Sequence, residues 1–137
     1  MQFFRNGAIE GVTVLGTDDS RGRPYIVGSL LTKKIAFALQ QYLQVLTSFD
    51  MGVPVVAFLS FTRMDGCTLR YSSGYGGGYR VSDARPGNDI LLPELVIEEP
   101  LVNAPQALRP AFDAMWHAFG FLRCDMYDGQ GAWVGDR

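Results

Sequence analysis

The segment 29–48, SLLTKKIAFALQQYLQVLTS, constrains the fold of this chain more than any other stretch. Apolar residues recur in it at intervals of three and four positions, which is the spacing of one face of an α-helix. Ser29 is a residue type that caps helix starts, and Gly52 follows the end of the segment. We therefore predict a helix over 29–48 that packs an apolar stripe on a sheet. The stripe comprises Leu31, Ile35, Ala38 or Leu39, Tyr42 and Leu46.

A second helix is predicted over NAPQALRPAFDAMWHAFGF, residues 103–121. Asn103 suits the cap position, and Pro105 suits the first turn. Pro110 either restarts or kinks this helix, and Gly120 ends it. Together the two helices are predicted to bury one core set, namely Leu31, Ile35, Leu39, Leu46, Phe112, Met115 and Trp116.

Short apolar runs between turn signals predict the strands. Asn6-Gly7 indicates a hairpin near the start, because both residues tolerate positive φ. VPVVAFLSF (53–61) reads as a strand buried on both faces, joined by a TRMDG hairpin turn to the alternating strand CTLRYSS. Further short strands are predicted at 79–81, at 90–99 with an edge or bulge at Pro93, and at 132–134.

This order of elements predicts the fold class α/β (α+β). We expect a mixed, largely antiparallel sheet of about five or six strands with two packed helices. Residues 1–137 are expected to form a single domain.

Composition narrows the class of protein further. Hydrophobic residues make up 47% of the 137 residues and charged residues 19%, which fits a folded globular chain. No apolar run has the length of a membrane span, and the start lacks the layout of a signal peptide. Cys67 and Cys124 form no CxxC pair or disulfide framework. We therefore expect a cytoplasmic protein without membrane contact.

Few residues suit catalysis or metal binding. His117 is the single histidine, which excludes sites built from several histidines, and we interpret it as a capping or packing residue. The acidic pairs at 18–19 and 98–99 are adjacent, so on a strand their side chains point to opposite faces. Nothing in the spacing of Cys124 and His117 requires them to approach each other as a nucleophile–base pair. We predict no catalytic residue, no metal site and no cofactor.

The glycine-rich stretch SSGYGGGYR (72–80) raises the question of a ligand-binding loop. It lacks the Lys-Ser or Lys-Thr of a P-loop and the strand–helix context of a dinucleotide fingerprint. Tyrosines and arginines around it resemble the mixture that holds single-stranded nucleic acid. The candidate nucleic-acid-binding residues are Arg70, Tyr71, Tyr75, Tyr79, Arg80 and Arg85.

A flexible connection between two strands is the favoured interpretation of this stretch, with nucleic-acid or protein contact as alternatives. Ordering glycines costs conformational entropy, which subtracts from any binding energy gained there. Charge gives limited support to nucleic-acid binding, because residues 1–85 carry nine basic and six acidic side chains whereas 86–137 carry three and eight.

FFRNGAIEGV near the start and LRPAFDAMWHAFGFLRCDMYDGQGAW near the end carry a family resemblance. With VPVVAFLS and LLPE between them, they resemble the carboxyl-terminal accessory region of bacterial proteins that have a Schlafen-type, Alba-like DNA-binding domain. The DNA-binding domain of that family has no counterpart in these residues. The resemblance therefore implies an accessory module and assigns DNA binding to no residue here.

We expect a non-catalytic accessory or interaction domain of a bacterial regulatory or defence-type protein. Its partner would be another protein or a second copy of this chain. Two alternatives remain open at this point: a nucleic-acid-binding module that uses the Tyr/Arg/Gly loop, and a small-ligand binder or enzyme of unknown reaction.

Overall fold

The computed structural model describes residues 1–72, 78–99 and 103–135. In chain order its strands are β1 (Gln2–Phe3), β2 (Ile9–Glu10), β3 (Thr17–Asp18), β4 (Pro24–Val27), β5 (Val55–Ala57), β6 (Ser60–Phe61), β7 (Thr68–Ser72), β8 (Tyr79–Val81), β9 (Ile90–Leu91) and β10 (Leu95–Ile97). The helices are α1 (Gly28–Ser48), α2 (Ala104–Ala107) and α3 (Arg109–Ala118). The α+β class and the predominance of antiparallel pairs are confirmed, but the strands divide among four small sheets instead of one.

Helix α1 forms where its periodicity predicts. Leu31, Leu39 and Leu46 are buried as expected, while Ile35 is half-buried against the core. The predicted cap at Ser29 is wrong: Val27 occupies the cap position without a side-chain bond, because the helix follows directly from β4. The buried stripe of α1 comprises Gly28, Leu31, Thr32, Ala36, Leu39, Leu43 and Leu46.

A four-stranded sheet in the order β3-β4-β7-β8 lies beside α1. The chain leaves β4 through α1 and returns to place β7 parallel to β4, with Val27 opposite Arg70. The TRMDG hairpin is therefore wrong: β7 pairs with β4 and β8, and β6 pairs with β9. Ile26 and Leu69 lie on the inner face of this sheet and are buried in the core.

A bulged ribbon, formed by residues 55–61 and 90–97, is the second main β unit. β5 pairs with β10 and places Ala57 opposite Leu95, while β6 pairs with β9. Because the Leu92 N–H donates to the Leu59 carbonyl oxygen, Phe58 alone faces two residues, Pro93 and Glu94. This two-against-one count is a β-bulge, so the bulge predicted at Pro93 is confirmed.

The ribbon has one buried face and one exposed face, which corrects the prediction of a strand buried on both faces. Its inner side chains reach the core, and the buried ones are Phe61, Ile90, Leu92, Leu95 and Ile97. On the outer face of the ribbon, Val56 and Phe58 are exposed, and no element of the described chain covers them.

The predicted second helix is broken in two at Leu108. Asn103 caps α2 by accepting a hydrogen bond from the Gln106 N–H, as predicted. Pro110 lies in the first turn of α3, where its missing N–H costs nothing, so the chain restarts a helix there. Phe112, Met115 and Trp116 are fully buried.

Both ends of the chain form short antiparallel contacts. The Asn6-Gly7 turn joins β1 to β2 as predicted, with Phe3 opposite Ile9. The strand predicted at 132–134 is reduced to a single bridge between Tyr127 and Trp133. No helix in the described ranges is long and apolar enough to cross a membrane.

Candidate interaction surface

Arg70 lies on the outer face of the four-stranded sheet, where local groups already engage its charge. Its guanidinium group stacks 3.8 Å from the centre of the Tyr25 ring, and its Nη2 lies 3.2 Å from Asp19 Oδ2. The Asp19 carboxylate also accepts backbone hydrogen bonds from Arg23 and Arg21. These bonds, that of Arg23 first, lower the pKa of Asp19 to about 2. A phosphate at Arg70 would therefore compete with a carboxylate that is ionised at neutral pH.

Tyr71 lies on the opposite face of β7 from Arg70. Its ring is buried and meets the Phe121 ring edge-on at 5.0 Å. A ring packed in this way stabilises the core and offers no face to a base.

The other predicted nucleic-acid residues do not converge. Tyr79 is 70% exposed and Arg80 is exposed, but they are neighbours on β8, so they face opposite sides of the sheet. Arg85 is exposed in the loop that follows. Tyr75 lies outside the described residues. Only Arg70 and Tyr79 of the described candidates share the outer face of this sheet.

Asp125 and Trp116 form a buried polar contact that the sequence did not indicate. Within the described chain, Trp116 Nε1 and Asp125 Oδ1 are buried without a partner at ideal hydrogen-bond geometry. Burial raises the pKa of Asp125 to about 6, while the indole N–H of Trp116 and the charge of Arg80 act in the opposite direction. The contact is polar but imperfect, and it lies where α3 meets the following loop.

The cysteines are placed as packing residues. Cys67 and Cys124 are free and buried. Burial raises the pKa of the Cys124 thiol to about 12, so the thiol stays protonated at neutral pH. The Cys124 backbone N–H donates to Asp113 Oδ1 at 2.8 Å. His117 is exposed in the last turn of α3, and its Nε2 lies 2.6 Å from the Leu122 carbonyl oxygen, so it acts at the helix end and does not pack in the core.

Metal ligands do not gather in this structure. Within residues 1–72, 78–99 and 103–135, no three His, Cys, Asp or Glu side chains could hold a metal ion together. Asp113 instead meets the Arg109 Nε at 3.8 Å, the ion pair that their four-residue spacing favours.

The outer face of the ribbon carries a row of exposed apolar side chains, which we call the outer strip. Val56 and Val96 lie directly opposite each other and are 48% and 56% exposed. Phe58 and Leu91 extend the same face and are 75% and 79% exposed. The outer strip thus comprises Val56, Phe58, Leu91 and Val96.

Acidic residues flank the outer strip. Glu94 lies in the bulge opposite Phe58, and Glu98 and Glu99 follow β10 directly; all three are exposed. Single exposed apolar residues are ordinary, whereas a contiguous apolar surface with a polar rim is typical of interaction sites. The sequence missed this site because it assigned both faces of residues 53–61 to the core. The apolar outward positions themselves were the available signal.

Comparison with protein-family models, with curated proteins and with solved structures finds no match for this chain. The resemblance to the Schlafen-associated accessory region stays a prediction from the sequence.

Proposed function

We propose that the chain is a non-catalytic interaction domain that binds a protein partner through the outer strip of the ribbon. The observation that carries this proposal is the contiguous exposure of Val56, Phe58, Leu91 and Val96 beside Glu94. Covering these side chains removes apolar surface from water, which is the main favourable term in protein association. An accessory module of the kind implied by the sequence resemblance would act in this way.

The chemistry of the rim specifies the kind of partner. Since Glu94, Glu98 and Glu99 border the apolar centre, a partner with an apolar centre and a basic rim is complementary. Rim charges chiefly set selectivity and association rate, while the apolar centre supplies affinity. We therefore expect apolar–basic segments to bind and apolar–acidic ones to be rejected.

The titratable groups support a role without catalysis. A thiol with a pKa of about 12 is a poor nucleophile, and His117 is occupied at the end of α3. The pKa of Asp125 is raised by burial, with the Trp116 indole beside it. Two free, buried thiols also fit the reducing cytoplasm that we propose as the location of the chain.

Nucleic-acid binding is the second candidate, supported by one observation. Tyr79 exposes its ring on the same sheet face as Tyr25 and Arg70, which together would offer a stacking surface. The Asp19 carboxylate on Arg70 weighs against it. This arrangement makes the outer strip the stronger candidate.

The test is a binding titration with two matched peptides. One is an amphipathic helical peptide with leucines on one face and lysines at its borders, and the other replaces every lysine with glutamate. We expect the lysine peptide to bind wild-type protein and the glutamate peptide to bind at least about tenfold more weakly. Phe58→Lys should abolish binding of the lysine peptide, because it removes the apolar anchor and repels the basic rim.

Leu122→Lys is the matched control, since Leu122 is 93% exposed and lies outside the outer strip. Equal weakening by both substitutions, or no binding of either peptide, would contradict the proposal. A labelled single-stranded oligonucleotide is titrated in parallel. Binding of the oligonucleotide that falls steeply with salt and disappears in Tyr79→Ala would favour the second candidate instead.

A further inference from the structure

An open groove between α1 and α2 has the chemistry that the outer strip requires. Its volume is about 380 Å³, and its lining is mainly apolar with one cation. Phe37 is 68% exposed at its border, and Lys33 is exposed one helical turn earlier. The lining residues are Lys33, Ala36, Phe37, Gln40, Ala104, Pro105 and Trp133.

The exposed face of α1 continues this surface. Leu30, Lys33, Lys34 and Phe37 are spaced by three and four residues, so they share one side of the helix. Leu30 is 66% exposed, and both lysines are exposed. This side of α1 is therefore apolar with basic neighbours, whereas the outer strip is apolar with acidic neighbours.

The two surfaces also place an aromatic ring and a charge of opposite sign where each could meet its counterpart. The bulge places the exposed Phe58 ring and the exposed Glu94 carboxylate opposite each other on the ribbon. The groove offers an apolar recess with Lys33 at its border. An apolar recess of this kind can accept a phenyl ring, and a lysine at its border can pair with a carboxylate.

We propose that the groove between α1 and α2 receives the outer strip of a second copy of this chain, so that copies associate head to tail. This inference rests on the proposed function, because it names the partner of the same outer strip. Phe58 enters the groove of the next copy, and Glu94 pairs with its Lys33. An open assembly of this kind leaves one groove unoccupied at one end and one outer strip unoccupied at the other.

Such a contact uses two different surfaces and is heterologous, so it extends into chains unless the rotation between copies closes a ring. A strip of four side chains is small for an interface, and the association is accordingly weak and concentration-dependent. Because the rim is charged, added salt weakens it.

The test measures the mass of the full chain in solution by sedimentation and light scattering over a concentration series. We expect the wild type to exceed the monomer mass at least twofold as concentration rises toward about 1 mM, the range of weak association. Phe58→Lys replaces the apolar anchor of the outer strip with a positive charge. Phe37→Glu places a carboxylate at the groove, where it repels Glu94 of the other copy. Each variant alone should stay monomeric. Phe58 and Phe37 are both exposed, and circular dichroism checks that each variant still folds.

Mixing the two variants separates head-to-tail association from every other arrangement. Phe58→Lys retains an intact groove and Phe37→Glu retains an intact strip, so an equal mixture should form a 1:1 complex and grow no further. Leu122→Lys should associate like the wild type.

Three results would overturn the inference. A wild type that stays monomeric while the lysine peptide still binds overturns self-association and leaves the proposed function standing. Association retained in Phe37→Glu but lost in Phe58→Lys shows strip-to-strip pairing instead. A mixture that stays monomeric, although the wild type associates, also excludes the head-to-tail contact.

Discussion

At the level of single residues, Asp125 lies where a carboxylate is costly. Burial raises its pKa to about 6, and the Trp116 indole and Arg80 compensate only in part. A group whose pKa is raised on folding binds its proton more tightly in the folded state. The stability that this chain gains by keeping Asp125 protonated is therefore present in acid and lost as the pH rises to about 6.

Asp125→Asn tests this directly, because the amide keeps the shape and an acceptor for the indole N–H but carries no charge. We expect the variant to be more stable than the wild type at pH 7 by about 1–2 kcal/mol, a value reduced for the partial exposure of the carboxyl group. The difference should shrink as the pH falls from about 6 to the ordinary pKa of 3.8. Urea unfolding at several pH values measures it.

Asp83→Asn serves as the control, since Asp83 is exposed. A stability difference for Asp125→Asn that is independent of pH would mean that the carboxyl group is solvated in the folded state.

At the level of elements, the ends of the helices depend on individual residues. Gly120 follows the cap residue of α3, and its φ of +84° is a conformation that favours glycine. A Cβ at this position would also approach the Ala84 Cβ to 3.0 Å. Both effects act on the same turn, which connects α3 to the loop that carries Asp125.

Gly120→Ala should therefore lower the free energy of unfolding by about 1–2 kcal/mol. Gly87→Ala is the matched control, because Gly87 has no atom within 4 Å of an added Cβ and does not require positive φ. Chemical denaturation of the two variants gives the comparison. Equal effects at both positions would show that loss of glycine, and not the left-handed turn, is responsible.

Local sequence signals predicted the positions of helices, caps and turns better than they predicted which strands pair with each other. The periodicity of α1, the Asn103 cap, the Asn6-Gly7 hairpin and the bulge at Pro93 are short-range effects, and the structure confirms them. The hairpin at TRMDG is wrong because α1 lets β7 pair with β4 far away in sequence. Such pairing leaves no local trace in the residues of the turn.

The candidate surface shows the same limit. The sequence of an apolar run such as 53–61 does not distinguish a strand buried on both faces from one whose second face is exposed to solvent. Phe58 and Leu91 are exposed because, among the described residues, the ribbon pairs only with itself as a two-stranded unit. The run of residues alone does not show this. The sequence likewise contains no sign that the fold brings the Asp19 carboxylate to the Arg70 guanidinium, where it competes with a phosphate.

At the level of the whole molecule, the burial that protects backbone amides from exchange with solvent differs between segments. α1, β4, β7 and α3 surround the fully buried Leu69 and Trp116, whereas β1 and β2 are mostly exposed. Segments with few buried contacts open at little cost in free energy.

Hydrogen–deuterium exchange followed by mass spectrometry should therefore find the slowest amides in β7 and α3. The 2–10 hairpin should exchange first, and the ribbon should be intermediate because one of its faces is exposed. Equal protection of the hairpin and of β7 would contradict this order. Slower exchange in the ribbon at high protein concentration would independently mark the outer strip as covered.

The parallel pairing of β4 with β7 also has a kinetic consequence. Asp19 and Arg70, which it brings together, are 51 residues apart in the chain. Closing a loop of this length costs entropy before the contacts across it form, and contacts distant in sequence slow folding. A nascent chain therefore exposes the apolar stripe of α1 until residues up to β7 have been synthesised, and its central sheet assembles late.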